Sequence, residues 1–456
     1  MRPPRLPATQ PFSPVFGGLY AAAFGLGGQQ LVHQLIQRYG PVVELPVLGF
    51  GKVVAVADAT LAKQVFTEQP DVLLGGEGVG PAAAIYGPRS MFVQEEPEHL
   101  RRRRLLTPPL HGQMLTGYVP IIESATRSAM ATWPVGRSMR MLDVARELTL
   151  DVIVQVVFGI GDPESVTRFG KPFKELLDLA LSEETPVRYA LRRVGALRRW
   201  GKLSEVNRRI DELVLPLIAE RRSGPSSADR TDILSMLVTA RTDDGDRLSE
   251  DEVRADLITL MLAGHETTAT TLAWLVDLLL HHPDALARVR AESRSGDTRY
   301  TEAAISETLR LWPAAPITGR MTTGRYRLGD YILDPGTRIV LLLDVINRDP
   351  VTYPAPGEFR PERFLDSRPH PYAWIPFGGG LKRCIGASFS MCELTTALHT
   401  ILREGDLEPV NTRQETAPLR AAPVVVPRNG TMVRFTPAAS LRYAGRTSSA
   451  SQDGRP

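Results

Sequence analysis

The residues with the clearest potential for chemistry lie in one glycine-rich segment, Phe377 to Gly386, which reads Phe-Gly-Gly-Gly-Leu-Lys-Arg-Cys-Ile-Gly. The only other cysteine beside Cys384 is Cys392, so the chain predicts neither a disulfide framework nor a cysteine-rich metal site. The glycines allow backbone amides to approach the sulfur. A helical pattern after the cysteine would add a positive helix end. Both features predict a stabilised thiolate at Cys384.

Four interpretations of this segment compete. A phosphate-binding loop is disfavoured because Arg383 and Cys384 follow Lys382, where the phosphate-loop motif requires serine or threonine after the lysine. A cysteine nucleophile needs a histidine nearby in space, which the sequence leaves open, although it does not need three consecutive glycines. A core cysteine in a structural loop is the plainest alternative. A lone thiolate held by backbone amides would suit an axial sulfur ligand of haem iron.

The segment resembles the haem-binding loop of the cytochrome P450 superfamily, the haem-thiolate monooxygenases, whose pattern is Phe-x-x-Gly-x-Arg-x-Cys-x-Gly. Phe377, Gly380, Cys384 and Gly386 match this pattern. The resemblance implies that the protein binds haem b through the axial thiolate of Cys384. The chain departs from the family at Lys382, since lysine keeps the charge of the usual propionate-binding arginine but loses its two-pronged geometry. The haem-binding residues implied for this loop are Phe377, Gly378, Lys382, Cys384 and Gly386.

The longest predicted helix, Ser249 to His282, contains a second unusual segment. Ser249 and Glu252 form a capping box, Pro283 ends the helix, and its length would be about 50 Å. The middle reads Ala-Gly-His-Glu-Thr-Thr at Ala263–Thr268. Glycine and threonine are poor helix formers, and a hydroxyl that competes for backbone carbonyls is expected to open the helix here.

A zinc-protease motif is excluded at this segment because Ala269 stands where its second histidine would be. A threonine-rich packing seam stays open as an interpretation. The segment also resembles the family motif Ala-Gly-x-Glu-Thr-Thr, which implies that Thr267 and Glu266 are catalytic. Thr267 would place its hydroxyl beside dioxygen, and Glu266 would relay protons from solvent, since cleavage of the O–O bond consumes protons. The substrate-pocket residues implied by the resemblance are Ala263, Gly264, Thr268, Pro316 and Ile317.

Glu307 and Arg310 are three residues apart, a spacing that is common on helix surfaces and usually of little energetic value. Downstream, Phe359 to Phe364 resembles the Pro-Glu-Arg-Phe segment of the same family. The resemblance implies a buried ion triad of Glu307, Arg310 and Arg363 that supports the cysteine loop.

Haem would bring two propionates, which need cationic partners. His99 and Arg103 are four residues apart, so they share a helix face. They resemble the propionate-binding pair of the family, and Arg320 resembles a further propionate contact. The run Arg101 to Arg104 is otherwise typical of a solvated basic face. We expect Arg103 to face the haem and its neighbours to face solvent, where they could receive an acidic electron donor.

The composition is that of a folded globular protein: 456 residues, 43% hydrophobic and 23% charged. A net charge of +3 gives no reason to expect nucleic-acid binding, and two cysteines suit a reducing compartment. No signal peptide or membrane-spanning segment is predicted, so we expect a cytoplasmic protein.

The patterns predict a mainly α fold with small β-sheets (α+β). One large domain, residues 15–439, would hold haem between the long central helix and the helix after the cysteine loop. Residues 1–14 are expected to be a flexible proline-rich segment and residues 440–456 a disordered tail. Three hairpins are predicted. They are Val42–Leu48 with Lys52–Val56, Tyr331–Leu333 with Arg338–Leu343, and one around Asn429–Gly430.

The function implied by the resemblance is monooxygenation of a lipophilic small molecule with O2. Electrons would come from a separate ferredoxin and reductase, and the protein is expected to be a monomer. The alternatives are a peroxygenase or isomerase with the same cysteine loop, and a haem protein without catalytic activity. The resemblance also implies that Gly75–Gly87 and Leu176–Arg192 contribute to substrate selectivity.

Overall fold

The computed structural model describes residues 32–47, 51–78, 83–182, 200–224, 230–242, 245–366, 369–418 and 424–438. The segments 1–14 and 440–456, predicted to be flexible, lie outside these residues. Within the described residues the protein is mainly α-helical with three small sheets, and the predicted fold class is confirmed.

Helices form most of the structure. The long α-helices are Met114–Thr132, Met141–Phe158, Pro163–Leu181, Gly201–Ser223, Glu250–Leu280 and Ala387–Glu404. The shorter ones are Ala59–Thr67, Gly75–Gly78, Ala83–Tyr86, Glu98–Leu106, Ile233–Thr239, Pro283–Ser295, Arg299–Leu311, Leu343–Ile346 and Arg363–Asp366, with 3₁₀ turns at Pro108–Leu110 and Gly380–Lys382. We call Glu250–Leu280 the central helix, Glu98–Leu106 the basic helix and Ala387–Glu404 the cysteine-loop helix.

The strands form three sheets. In chain order the strands are β1 (Val42–Val47), β2 (Gly51–Val56), β3 (Leu73–Leu74), β4 (Ser138–Arg140), β5 (Ile317–Thr322), β6 (Tyr326–Leu328), β7 (Tyr331–Leu333), β8 (Arg338–Leu342), β9 (Gly405–Pro409) and β10 (Met432–Pro437). The sheet orders are β1-β2-β8-β5-β3, β4-β10-β9 and β6-β7.

Only the first of the three predicted hairpins forms as expected. Strands β1 and β2 pair antiparallel, with Val42 opposite Val56. The second prediction is wrong, because β7 pairs with β6 while β8 joins β2 and β5 in another sheet. The third is also wrong in its partner. Gly430 makes the expected left-handed turn, with φ of +76°, but β10 pairs with β4 and β9. Turn residues mark where a chain reverses, whereas long-range packing selects the strand that it meets.

The central helix begins at the predicted cap. The Ser249 hydroxyl accepts from the Glu252 amide at 3.2 Å, and the Glu252 carboxylate accepts from the Ser249 amide at 2.6 Å. The helix runs without interruption for 31 residues, about 46 Å. The predicted break in its hydrogen bonding near Thr267 is therefore wrong. The Thr267 hydroxyl donates to the Ala263 carbonyl at 2.7 Å while the helix continues, because a carbonyl oxygen has two lone pairs and accepts both donors.

The largest hydrophobic core surrounds the central helix, which is buried on nearly every side. Two smaller cores cover the two faces of the five-stranded sheet. Val54 and Val56 belong to one of them, and Val53 and Ala55 belong to the other, as the alternation of side chains along a strand requires. An accessible surface within the central helix is therefore an exception that needs a local cause.

Candidate active site

The cysteine loop is held in place by its own backbone and by one phenylalanine. Gly378 and Gly380 adopt left-handed conformations, with φ of +69° and +65°, which other residues rarely adopt. A β-carbon on Gly380 would lie 2.1 Å from the carbonyl oxygen of Phe66, so only glycine permits this approach. The Cys384 amide donates to the Phe377 carbonyl at 2.9 Å. These contacts fix where the sulfur lies.

Cys384 is exposed at the surface of the described residues, yet the surrounding protein atoms remove much of the water around its thiol. This burial raises the pKa of the thiol, while a backbone hydrogen bond from Gly386 and the charges of Arg103 and Arg383 act in the opposite direction. The upward shift corrects the prediction that the loop alone favours a thiolate, because lost hydration outweighs these groups. A metal cation on the sulfur would reverse that balance. The environment therefore suits a metal ligand better than a free nucleophile.

The middle of the central helix has one accessible surface, formed by Ala263 and Thr267, which we call the opening. The side chain of Ala263 is exposed and that of Thr267 is half-buried, although most of their neighbours along the helix are buried. Thr268 is itself buried, and its hydroxyl lies 3.4 Å from that of Ser390 in the cysteine-loop helix. The central helix thus contacts the helix that begins three residues after Cys384.

Gly264 has a different role from the one predicted. A β-carbon there would lie 3.1 Å from Cδ1 of Ile153 in the helix Met141–Phe158. The side that lacks a side chain therefore faces a neighbouring helix, and the glycine permits close helix packing rather than space for substrate. Ala263 is the small residue that lies at the opening.

Glu266 is turned toward the helix Met141–Phe158 and is bound there by Arg146. Nε of Arg146 donates to Oε2 of Glu266 at 2.8 Å, and Nη2 donates to Oε1. The Glu266 side chain is 2% exposed and that of Arg146 is 32% exposed. Next to it, burial lowers the pKa of His265 to about 4, so this histidine is neutral near pH 7. The predicted proton-relay residue is thus held in an ion pair.

Two arginines predicted to bind propionates donate to the cysteine loop. Nη1 of Arg103 donates to the Arg383 carbonyl at 2.7 Å, and Nη2 of Arg320 donates to the Gly379 carbonyl at 3.3 Å. Burial lowers the pKa of both side chains, that of Arg320 to about 10. Within the described part of the chain neither arginine forms a salt bridge with a carboxylate.

Lys382 lies across Gly75, where a β-carbon would meet the lysine Cε at 2.8 Å. Its ammonium group donates to the Gln94 carbonyl. Burial lowers the pKa of Lys382 to about 8, although the carboxylates of Glu95 and Glu96 act against this shift. The lysine thus connects the cysteine loop to the start of the segment predicted to line the substrate pocket.

His99 is 2% exposed, and its Nδ1 lies 2.7 Å from Oε1 of Glu96. Burial lowers the pKa of His99, as do the charges of Lys382 and Arg103, while Glu96 raises it. A neutral His99 that donates from Nδ1 has only an acceptor at Nε2. It would therefore bind a propionate oxygen only as the doubly protonated cation.

These residues fit haem. Arg320 is buried, and Arg103 and Lys382 are half-buried. Within the described residues, the hydrogen-bond acceptors of these three cations are backbone carbonyls. A buried charge without a counter-charge is costly, and the two propionates would supply that counter-charge. The iron would supply the cation that the sulfur of Cys384 lacks.

The basic helix departs from the prediction that only the haem-facing arginine is turned inward. Arg102 is 1% exposed and forms a salt bridge with Asp256 of the central helix, which is also 1% exposed. Arg101 is half-buried and pairs with Glu252. Of the other arginines in this helix, only Arg104 is exposed. The prediction is wrong for Arg102 because the basic helix packs against the start of the central helix, so a second face is covered.

The predicted ion triad is assembled, with Glu307 and Arg310 buried and Arg363 half-buried. Nε and Nη2 of Arg310 donate to the two carboxylate oxygens of Glu307 at 2.6 and 2.8 Å. Nε of Arg363 donates to Glu307 at 3.3 Å. Arg310 also donates to the carbonyls of Asn347 and Pro356. The triad therefore joins the helix Arg299–Leu311 to the segment that precedes the cysteine loop.

The remaining pocket predictions concern β5 and two segments. Pro316 is buried, whereas Ile317 at the start of β5 is 50% exposed and offers an apolar surface. Residues 79–82 of the first predicted lining segment and 183–192 of the second lie outside the described residues.

Three residues that shape the site were not predicted: Arg146, Asp256 and Phe66. A signal existed for Asp256, a lone acid in an apolar stretch of helix that requires a buried partner. Arg146 and Phe66 lie in ordinary amphipathic helices. Their roles arise from contacts far apart in the chain, which a single sequence does not reveal.

Comparison with known proteins identifies relatives over nearly the whole chain. The family model for cytochrome P450 matches residues 7–435. Putative cytochrome P450 137 of Mycobacterium tuberculosis is 58% identical over 436 residues, 96% of this chain and 91% of the relative. Putative cytochrome P450 138 of Mycobacterium bovis is 37% identical over 407 residues, 89% of this chain and 90% of the relative.

A solved structure has the same fold. Retinoic acid-bound cyanobacterial CYP120A1 superposes with a TM-score of 0.78, over 91% of this chain and 95% of that one, at 22% identity. At this identity the likeness concerns the fold alone. In the described part of the chain, no helix has the length and apolar character needed to cross a membrane.

Proposed function

Because the chain belongs to the cytochrome P450 family, we propose that Cys384 is the axial thiolate of its haem b and that the protein inserts one atom of O2 into a lipophilic small molecule. Family membership makes the protein a haem-thiolate monooxygenase. When bound, the haem supplies oxygen activation, and a thiolate ligand favours cleavage of the O–O bond. Beyond family membership, we propose which residue binds the haem iron, which class of substrate reacts and where the electrons come from.

One observation carries the assignment of Cys384. Cys384 is exposed in a glycine loop that Arg103 and Arg320 contact directly. Cys392 lies instead within the cysteine-loop helix, half-buried, with its sulfur 3.9 Å from the Leu115 carbonyl. Of the two cysteines, only Cys384 combines an open side with surrounding cations.

The test is the absorption spectrum of the reduced protein with carbon monoxide. The wild-type protein and Cys392→Ser should both show the long-wavelength Soret band of thiolate ligation. Cys384→Ser should lose that band, even where haem is still bound. Retention of the band in Cys384→Ser, or its absence from the folded, haem-loaded wild-type protein, would refute the assignment.

The roles proposed for the central helix follow from its opening. Thr267 presents its hydroxyl there, and Glu266 supplies protons from the opposite side of the helix after leaving Arg146. Ala263 and Ile317 present apolar surface, which supports a lipophilic substrate and hydroxylation or epoxidation as the reaction. In the solved cyanobacterial structure this fold holds retinoic acid.

Ligand-induced Soret shifts against a panel of fatty acids, sterols, terpenoids and polyketides would identify the class of substrate. If no compound of this panel gave a shift with the haem-loaded protein, the lipophilic assignment would be wrong.

Electrons are proposed to come from a ferredoxin with its reductase. Arg104 and Arg383 are exposed, and Leu381 beside them is 44% exposed. This surface suits an acidic donor, and exposed charge pairs chiefly affect the association rate. Arg383→Glu should slow reduction and weaken its salt dependence, whereas Arg325→Glu, an exposed arginine beside β6, should not. Equal effects of the two variants would exclude this docking surface.

A peroxygenase would turn over with hydrogen peroxide as readily as with NADPH and redox partners. The intact Glu266–Thr267 pair supports the O2-dependent reaction. The monomeric state and the cytoplasmic location stay predictions from the sequence.

A further inference from the structure

Trp274, in the second half of the central helix, is 0% exposed and makes two directed contacts. Its indole Nε1 donates to the Val425 carbonyl at 2.7 Å. Its ring stacks on that of Trp312, with 4.2 Å between the ring centroids and 8° between the planes. Trp312 directly follows the helix Arg299–Leu311. One side chain thus joins three elements that are far apart in the chain.

These contacts close into a ring. The Val425 amide donates to the Ala314 carbonyl at 3.0 Å, and Ala314 lies two residues after Trp312. The guanidinium carbon of Arg348 lies 4.6 Å from the centroid of the Trp312 ring, which helps to hold that ring in place. Val425 is itself buried. It therefore cannot move without breaking a hydrogen bond at its amide or at its carbonyl.

The ring of contacts adjoins the residues predicted to line the substrate pocket. Trp274 follows Thr267 by seven residues, so the two share a face of the helix, about 10 Å apart along its axis. Residues 314–317 are all apolar and end at Ile317, which is 50% exposed. Residues 424–426 are three valines, of which the first and last are half-buried. We call these two segments together the apolar wall.

We propose that Trp274 is a positioning residue that sets substrate selectivity, because it holds the apolar wall at a fixed distance from the face of the central helix that carries Thr267. This inference rests on the proposed lipophilic substrate. A wall that is held in one position is ordered before a ligand arrives, so a long apolar molecule binds without the cost of ordering it. A small ligand that ends near Thr267 does not reach the wall and gains nothing from its order.

The first test measures ligand binding to the haem-loaded protein through the Soret shift, with N-methylimidazole and N-dodecylimidazole as probes. Both probes bind iron through the same ring nitrogen, so they differ only in the apolar chain. Trp274→Phe keeps an aromatic ring and removes the N–H group that holds Val425. It should weaken the binding of N-dodecylimidazole about fivefold, the contribution of one net hydrogen bond, and leave the dissociation constant of N-methylimidazole unchanged.

Thr431→Val is the matched control that separates positioning from a structural role. The Thr431 hydroxyl donates to the Ala273 carbonyl at 3.0 Å, so this change also removes one hydrogen bond between the central helix and the C-terminal segment, but not at Val425. It should keep the wild-type ratio of the two dissociation constants. An unchanged ratio in Trp274→Phe, or an equal change in Thr431→Val, overturns the inference. If the wild-type protein binds N-dodecylimidazole no more tightly than N-methylimidazole, the proposed lipophilic pocket fails instead.

A second measurement needs no ligand. Hydrogen–deuterium exchange, followed by mass spectrometry of a peptide that contains Val425 and ends before Thr431, reports how firmly the Val425 amide is held to Ala314. Trp274→Phe should speed this exchange about fivefold, because the neighbouring carbonyl has lost its donor, whereas Thr431→Val should not. Unchanged exchange in Trp274→Phe would mean that Trp274 does not hold Val425, and the inference would fall.

Discussion

Replacing Arg102 with alanine should destabilise the protein strongly, because it leaves Asp256 buried without its counter-charge. Both side chains are 1% exposed. Arg102 also donates to the carbonyls of Arg89 and Glu252. After the replacement, the donor to Asp256 that remains among the described residues is the Met91 amide at 3.3 Å.

The magnitude follows from burial. Removing one partner of a buried ion pair costs about 3–5 kcal/mol, against a total stability of about 5–15 kcal/mol for a folded domain. Burial already raises the pKa of Asp256 to about 6 even beside Arg102. Below that pH the carboxyl group is protonated, and its isolation costs less. The loss caused by Arg102→Ala should therefore be larger at pH 8 than at pH 5.

The assay is urea unfolding followed by tryptophan fluorescence at both pH values. Arg104→Ala, an exposed arginine of the same helix, is the matched control and should change stability by no more than about 0.5 kcal/mol. Arg102→Met combined with Asp256→Leu should recover most of the loss, because an apolar pair needs no counter-charge. A loss below about 1 kcal/mol for Arg102→Ala at pH 8 would refute the reasoning, since removing a partner from a buried ion pair should cost more.

Three further predictions concern the central helix. Burial lowers the pKa of His265 to about 4, so the unfolded chain binds the proton first. Stability should fall as the pH decreases from about 6.5 to 4, by up to about 3 kcal/mol, and His265→Gln should flatten this part of the urea-stability profile. Gly264→Val should cost about 1–3 kcal/mol in thermal unfolding by overpacking against Ile153, and the added change Ile153→Val, which removes the Cδ1 atom, should recover part of it. Thr267→Ala should alter the unfolding free energy by no more than about 1 kcal/mol but lower the substrate-free NADPH-to-O2 ratio; an unchanged ratio would contradict its place in proton delivery.

Local patterns in the sequence predicted the parts of the fold that depend on neighbouring residues. The capping box of Ser249 and Glu252 forms as expected, because its partners are three residues apart. The first hairpin forms because its turn directly joins its strands. The strand after Asp334–Gly336 was misassigned because β8 finds its partners, β2 and β5, far along the chain.

In the candidate site, too, some features depend on neighbouring residues and others on contacts between distant parts of the chain. The sequence contained the lone loop cysteine, the cations and the Glu266–Thr267 pair, because these chemistries need particular residue types at short spacing. Only the tertiary structure decided which way each side chain faces. It paired Glu266 with Arg146, and it buried Arg102 against Asp256.

The sequence by itself determined which residue types stand together in the cysteine loop and in the middle of the central helix, and these predict a haem-thiolate site. Spacing along a helix or a loop is sufficient to specify such motifs. Whether Cys384 favours a thiolate, whether Gly264 serves packing or substrate, and how Glu266 is held were decided by tertiary packing. The pKa of a side chain and the space around it depend on the atoms that surround it in three dimensions.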